Sequence, residues 1–106
     1  MSVTWNTYWI RLQRALVAPT QVTPWSVAGL ARGAPFTALT SKNRIEVVLP
    51  SGRRRILPMK ELVMVYRVWD AYLNGALPRG RLVHTKGIRY STYIISIFRK
   101  FDHLMI

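Results

Sequence analysis

Residues 44–57 read RIEVVLPSGRRRIL, and this stretch decides the fold. Ile45, Val47 and Leu49 alternate against Glu46 and Val48, the period of a half-buried strand. "PSG" is a turn signal, and Gly52 supplies the positive φ such a turn requires. "RRRIL" then returns as the second strand of a hairpin. On that strand Arg53 and Arg55 share a face with Leu57, while Arg54 shares the other with Ile56. Three consecutive arginines here have three readings: grip on a polyanion, charges that stop an edge strand from pairing with a neighbour, or contact with a carboxylate across a dimer interface. The split between faces lets at most two of them meet one partner.

Outward from the hairpin, residues 36–39 form a further strand, so the β region spans 36–57. Residues 58–74 carry Leu62, Val65, Tyr66, Trp69 and Leu73 on one stripe, with Lys60, Arg67, Asp70 and Asn74 on the wet side. Pro58 suits the first turn of this helix and Gly75 its C′ position. Residues 91–104 form a last helix with Ile94, Ile97, Phe98, Phe101 and Leu104 inward and Ser91 as N-cap. Residues 4–17 place Trp5, Tyr8, Trp9, Leu12 and Leu16 on one face of a first helix, which Pro19 ends. Residues 18–35 read as an ordered loop with a short turn of helix near Trp25–Ala31, and residues 76–90 as a basic loop. The expected architecture is α+β in a single domain, residues 1–106. A small antiparallel sheet of two or three strands, its hairpin turning at Ser51–Gly52, packs against about three helices.

Charge is the strongest functional signal. The chain of 106 residues carries 16 basic and 4 acidic side chains, a formal net charge of +12. Twelve of those cations are arginine, a bias toward bidentate anion contacts rather than mere solubility. Self-repulsion at this level favours an anionic partner. Two clusters suit nucleic acid: Arg44 with Arg53, Arg54 and Arg55, and Arg79, Arg81, Lys86 and Arg89 with His84 and Tyr90 among them. The second cluster leads into a helix N-terminus, itself attractive to phosphate. The 15-residue connection is too long for a helix-turn-helix. The tyrosines at 8, 66, 72, 90 and 93 and four tryptophans offer stacking surface, although at helical spacing Tyr66 and Trp69 read as core.

Other classes find little. Without cysteine there is no disulfide, thiolate nucleophile or usual structural zinc site. No cofactor or metal motif is legible, and the glycines match neither the dinucleotide nor the P-loop spacing. The four acids form no acid/base dyad. His84 with Lys86 and Arg89 is the one arrangement a nuclease could use, and a loop role for His84 is the stronger reading. No apolar run approaches the ~20 residues of a membrane span. The start lacks the apolar block of a secretory signal. Its acid-poor, arginine-bearing character resembles a transit peptide, but Trp5, Tyr8 and Trp9 read as docking residues.

Four stretches together, TPWSVAGLARGAPFTA (23–38), RIEVVLPSGRRRI (44–56), VYRVWDAYLNG (65–75) and STYIISIF (91–98), resemble a group of small uncharacterised bacterial proteins, some carried on mobile DNA such as integron gene cassettes. The resemblance implies a bacterial, cytoplasmic accessory protein and brings no activity or catalytic residue. The sequence thus points to a non-enzymatic module that binds nucleic acid, DNA or RNA, through Arg44, Arg53, Arg54, Arg55, Arg79, Arg81, Lys86 and Arg89. The alternative is a protein–protein interaction module, a homodimer or the partner of an acidic protein.

Overall fold

The computed structural model describes residues 2–27, 29, 33–78, 81 and 87–106. Four strands, β1 (Thr20–Val22), β2 (Phe36–Ser41), β3 (Arg44–Val48) and β4 (Arg54–Leu57), form one antiparallel sheet in sequence order. Helices α1 (Trp5–Ala15), α2 (Met59–Arg67), α3 (Trp69–Leu73) and α4 (Ser91–Lys100) and a 3₁₀ turn (Asp102–Met105) complete the described elements. The α+β class expected from the sequence is therefore observed, with one strand more than anticipated.

The extra strand is β1, in a segment expected to be loop. It is three residues long and buries only Val22, so it shows no alternation of its own. It exists because β2 offers a partner edge, pairing Thr20 with Ala38 and Val22 with Phe36. Between β2 and β3, Lys42 and Asn43 both take positive φ, 50° and 61°. That is the two-residue turn that matches strand twist, and it carries β2 two residues beyond the expected Leu39. Between β3 and β4, Gly52 N–H donates to the Leu49 carbonyl and Leu49 N–H to the Arg53 carbonyl. Gly52 sits at φ +89°, a turn with a bulged glycine as "PSG" predicts.

Alternation puts Val22, Phe36, Ala38, Ile45, Val47 and Leu57 on one face, all buried. The helices cover that face. On α1, Tyr8 and Leu12 are buried and Trp5 and Trp9 half-buried, so the aromatic start docks on the fold as expected. Thr4 caps it, its Oγ1 accepting from Thr7 N–H. Its far end is closed by Thr40 of β2. The Thr40 hydroxyl donates to the Gln13 carbonyl and the Thr40 N–H to that of Leu16. Arg11 Nη1 donates to the main-chain oxygens of Leu104 and Ile106 at 3.0 and 2.8 Å, fastening the 3₁₀ turn to α1.

Two further expectations are corrected. Residues 58–74 are two helices, not one. The chain breaks at Val68 (φ −109°, ψ 11°), and Pro58 is the residue before α2 rather than within it. Val63, Val65 and Val68 are stiff at χ1 and weaken the helix locally. Beyond the break Trp69 and Tyr72 stack on each other at 5.7 Å, and Trp69 meets Phe98 edge-on. Tyr72 is thereby buried as well, while Leu73 packs half-buried against the core. Likewise α4 ends at Lys100 rather than at residue 104, and Leu104 lies in the 3₁₀ turn. No helix among the described residues is long and apolar enough to cross a membrane.

Tyr8 stacks on Tyr66 at 4.9 Å and meets Phe98 edge-on at 5.3 Å. Its buried hydroxyl has no hydrogen-bond partner among the described residues. Burial, and secondarily Tyr66 and Asp102, push its ionisation well above the ordinary tyrosine value of 10.0. A raised folded-state value means stability is full below the unfolded pKa and falls as pH rises above it. Tyr8→Phe removes only an unsatisfied hydroxyl, so stability at neutral pH should rise by up to about 1 kcal/mol. The alkaline loss above pH 10 should shrink as well. Urea unfolding at both pH values checks this, and a loss exceeding about 1 kcal/mol at neutral pH would contradict it.

Candidate nucleic-acid interface

The strand register separates the first arginine cluster. β4 lies at the sheet edge. Arg54 pairs with Val48 and Arg55 with Val47, so their side chains leave opposite faces. Arg54 is on the outer face, with Nη1 3.6 Å from Glu46 Oε2. Arg55 is on the helix-covered side, half-buried, with Nη1 donating to the Arg54 carbonyl at 2.9 Å. Arg53 precedes the strand and is exposed. Arg44 opens β3, four residues from the Val48–Arg54 pair, or roughly 13 Å along the strand. Arg44 is therefore not grouped with the triplet as the sequence suggested. Arg53 and Arg54 flank the turn, Arg55 turns back on its own chain, and Arg44 stands at the opposite end of the hairpin. Arg54 and Arg55 thus lie on an edge strand, and Arg53 and Arg54 are both exposed.

In the second cluster Arg81 and Arg89 are exposed, and Arg81 N–H donates to the Pro78 carbonyl. Arg79, Lys86 and the nuclease candidate His84 lie outside the described residues. Arg89 lines a cleft of about 620 Å³. Its described lining comes from three separate parts of the chain: residues 24, 33, 34 and 36, the β3–β4 turn from Leu49 to Ser51, and Arg89, Tyr90 and Tyr93 at the start of α4. Phe36 meets Tyr93 edge-on at 5.1 Å, and the Tyr90 and Tyr93 rings lie 6.4 Å apart. The segment after Pro24 is tied to the helices. Trp25 N–H donates to Ser96 Oγ at 2.9 Å and Val27 N–H to the Tyr72 hydroxyl at 3.1 Å. Arg99 lies over the Trp25 ring and bonds Asp102, which removes it from the free cations.

The expected helix N-terminal phosphate site is altered. Tyr90, not Ser91, is the cap residue, and no side chain of its own caps α4. Instead Tyr90 N–H donates to Glu61 Oε1 at 3.0 Å. Glu61 is only 8% exposed and stands in the first turn of α2. One carboxylate thus faces the positive ends of two helix dipoles. A phosphate approaching α4 meets a position already held by an internal anion. The sequence held no local sign of this pairing, because Glu61 and Tyr90 are 29 residues apart. The cleft was equally hidden, although Tyr90 and Tyr93 at i, i+3 before an apolar run were its one visible trace.

Among the described residues no group of three His, Asp or Glu side chains is placed to hold a metal ion. Comparison with family models, curated proteins and solved structures finds no match. The resemblance to cassette-borne bacterial proteins therefore rests on its four stretches alone.

Removing the Glu61 carboxylate should leave the Tyr90 N–H unpaired at a half-buried position. Glu61→Ala is expected to cost about 1–3 kcal/mol, and Glu61→Gln, which keeps an acceptor, less. Urea midpoints at constant m-value report this. Equal losses for both variants would mean that packing, not the cap, matters there.

Proposed function

We propose that this protein is a non-enzymatic module that binds nucleic acid, DNA or RNA, by its backbone. The observation that carries this reading is convergence: Leu49 to Ser51, which lead into Arg53, and the α4 start with Arg89 line one cleft. One basic stretch and the segment leading into the other, far apart in sequence, thereby share one place. The supply of internal counter-charge is also short. Of the four acids, Glu46 pairs with Arg54, Asp102 with Arg99, and Glu61 is bonded within the fold. Most of the +12 surplus therefore has no acid to answer it, and a polyanion supplies what is missing. The bacterial, cytoplasmic setting implied by the resemblance to cassette proteins accords with such a role.

Backbone grip predicts strong salt dependence and little sequence preference. Combined Arg53→Ala, Arg54→Ala and Arg89→Ala should weaken binding uniformly across sequences. The slope of log K against log salt should fall by roughly two to three. Fluorescence anisotropy across a salt series reads both quantities. A triple variant that binds as the parent does would remove this interface from the proposal.

A further inference from the structure

We infer that the cleft between the β3–β4 turn and the start of α4 takes an unpaired base of single-stranded nucleic acid. Tyr90 and Tyr93 give the stacking surface and Arg89 the contact to the adjoining phosphate. This rests on the nucleic-acid reading above and narrows it from any polyanion to a strand with accessible bases.

The lining of the cleft carries the inference. A surface that only held phosphates would be flat and cationic. This one is a cleft of about 620 Å³, within the range of ligand-sized clefts, and Phe36, Tyr90 and Tyr93 are among its lining. Tyr90 and Tyr93 are half-buried, so each shows part of its ring. Phe36 braces Tyr93 edge-on from below and is itself buried. A ring fixed in this way loses little freedom when a base stacks on it. Among the described lining residues Arg89 is the one charged side chain and none is acidic, and the exposed Arg53 follows Ser51 by two residues in the chain. A cation beside aromatic lining matches a nucleotide whose phosphate meets arginine and whose base meets the rings.

A duplex does not fit this arrangement. Its bases are stacked on each other inside the helix, and only sugar and phosphate reach a surface that does not enter a groove. The tyrosines line the cleft together with Pro24, Pro50 and Ser51. An unstacked base can present its face to them there, whereas a base held inside a continuous duplex cannot. The Tyr90 N–H takes no part, since it already donates to Glu61 Oε1. Phosphate contact is assigned to the arginine side chains, which leaves the tyrosine rings for the base.

The test uses the full chain and three labelled probes of equal length: a single-stranded oligothymidylate, its duplex with oligoadenylate, and an abasic strand with the same phosphates. The single strand should bind at least about tenfold more tightly than the abasic strand and more tightly than the duplex, despite the greater charge of the duplex. Tyr90→Ala should bring the single strand down to the abasic level with an unchanged salt slope, and Tyr93→Leu, which keeps apolar bulk against Phe36, should do the same. Thermal melting of both variants separates loss of stacking from loss of fold, and the abasic comparison needs no variant at all. Equal, salt-dependent binding of all three probes would overturn the stacking cleft and leave the backbone grip standing. Failure of all three to bind at low salt would remove the nucleic-acid reading and this inference together. Release of the single strand by free thymidine monophosphate at equal nucleotide concentration would show that the cleft serves mononucleotides, and would overturn the assignment to a strand.

Discussion

The sheet has one apolar face, and the rest of the molecule follows from covering it. Phe36, Ala38, Ile45, Val47 and Leu57 all point one way, while Thr37, Glu46, Val48, Arg54 and Ile56 point the other. A four-stranded antiparallel sheet of this kind is stable only when its apolar face is packed. The helices therefore lie on one side, and Tyr8, Leu12, Leu62, Val65, Ile94 and Phe98 fill the space between them. Basic residues are left to the outer sheet face, the sheet edge, the turns and the outward sides of the helices. The location of charge is thus a consequence of where the core had to be.

A second constraint is the scarcity of acids. With 16 cations and 4 acids, each carboxylate has a structural effect out of proportion to its number. Glu61 shows this most clearly, serving the first turn of its own helix and the main-chain start of α4 at once. Glu46 sits among outer-face residues and meets Arg54. Asp102 holds Arg99, which in turn covers Trp25 and steadies the loop that walls the cleft. Three of the four acids are engaged within the fold, and most of the cationic surplus is left to an external anion.

How much of this was legible depended on whether the controlling contact was local. The β3–β4 hairpin could be read because alternation and the Pro50–Ser51–Gly52 turn lie side by side in the chain. The stripes of α1, α2 and α4 could be read because the helical period repeats several times in each. β1 could not, since three residues carry no period and its partner strand begins fourteen residues later. The break at Val68 was invisible because the apolar spacing runs through it, and what turns the chain is aromatic packing of Trp69 and Tyr72 against Phe98 and Trp25. Among the arginines, the split of Arg54 and Arg55 between faces was legible from period two. The distance of Arg44 from them was not, because it depends on register. The cleft was beyond reach for the same reason: its described lining comes from Pro24, Gly33 and Ala34, from residues 49–51 and from the start of α4 at Arg89 and Tyr90, and only the tertiary fold brings them together.

The central claim is that anionic strands meet this molecule at the β3–β4 turn and the α4 start rather than at the Arg44 end of the hairpin or on α1. The most direct measurement is an amide chemical-shift map, ¹H–¹⁵N, of the labelled protein titrated with a short single-stranded oligonucleotide. The account predicts that shifts cluster at residues 49–54 and 89–93, with Asn6, Ile10 and Arg14 on the exposed side of α1 and Arg44 on the outer sheet face left in place. Shifts concentrated on α1 or around Arg44, with the cleft silent, would contradict it.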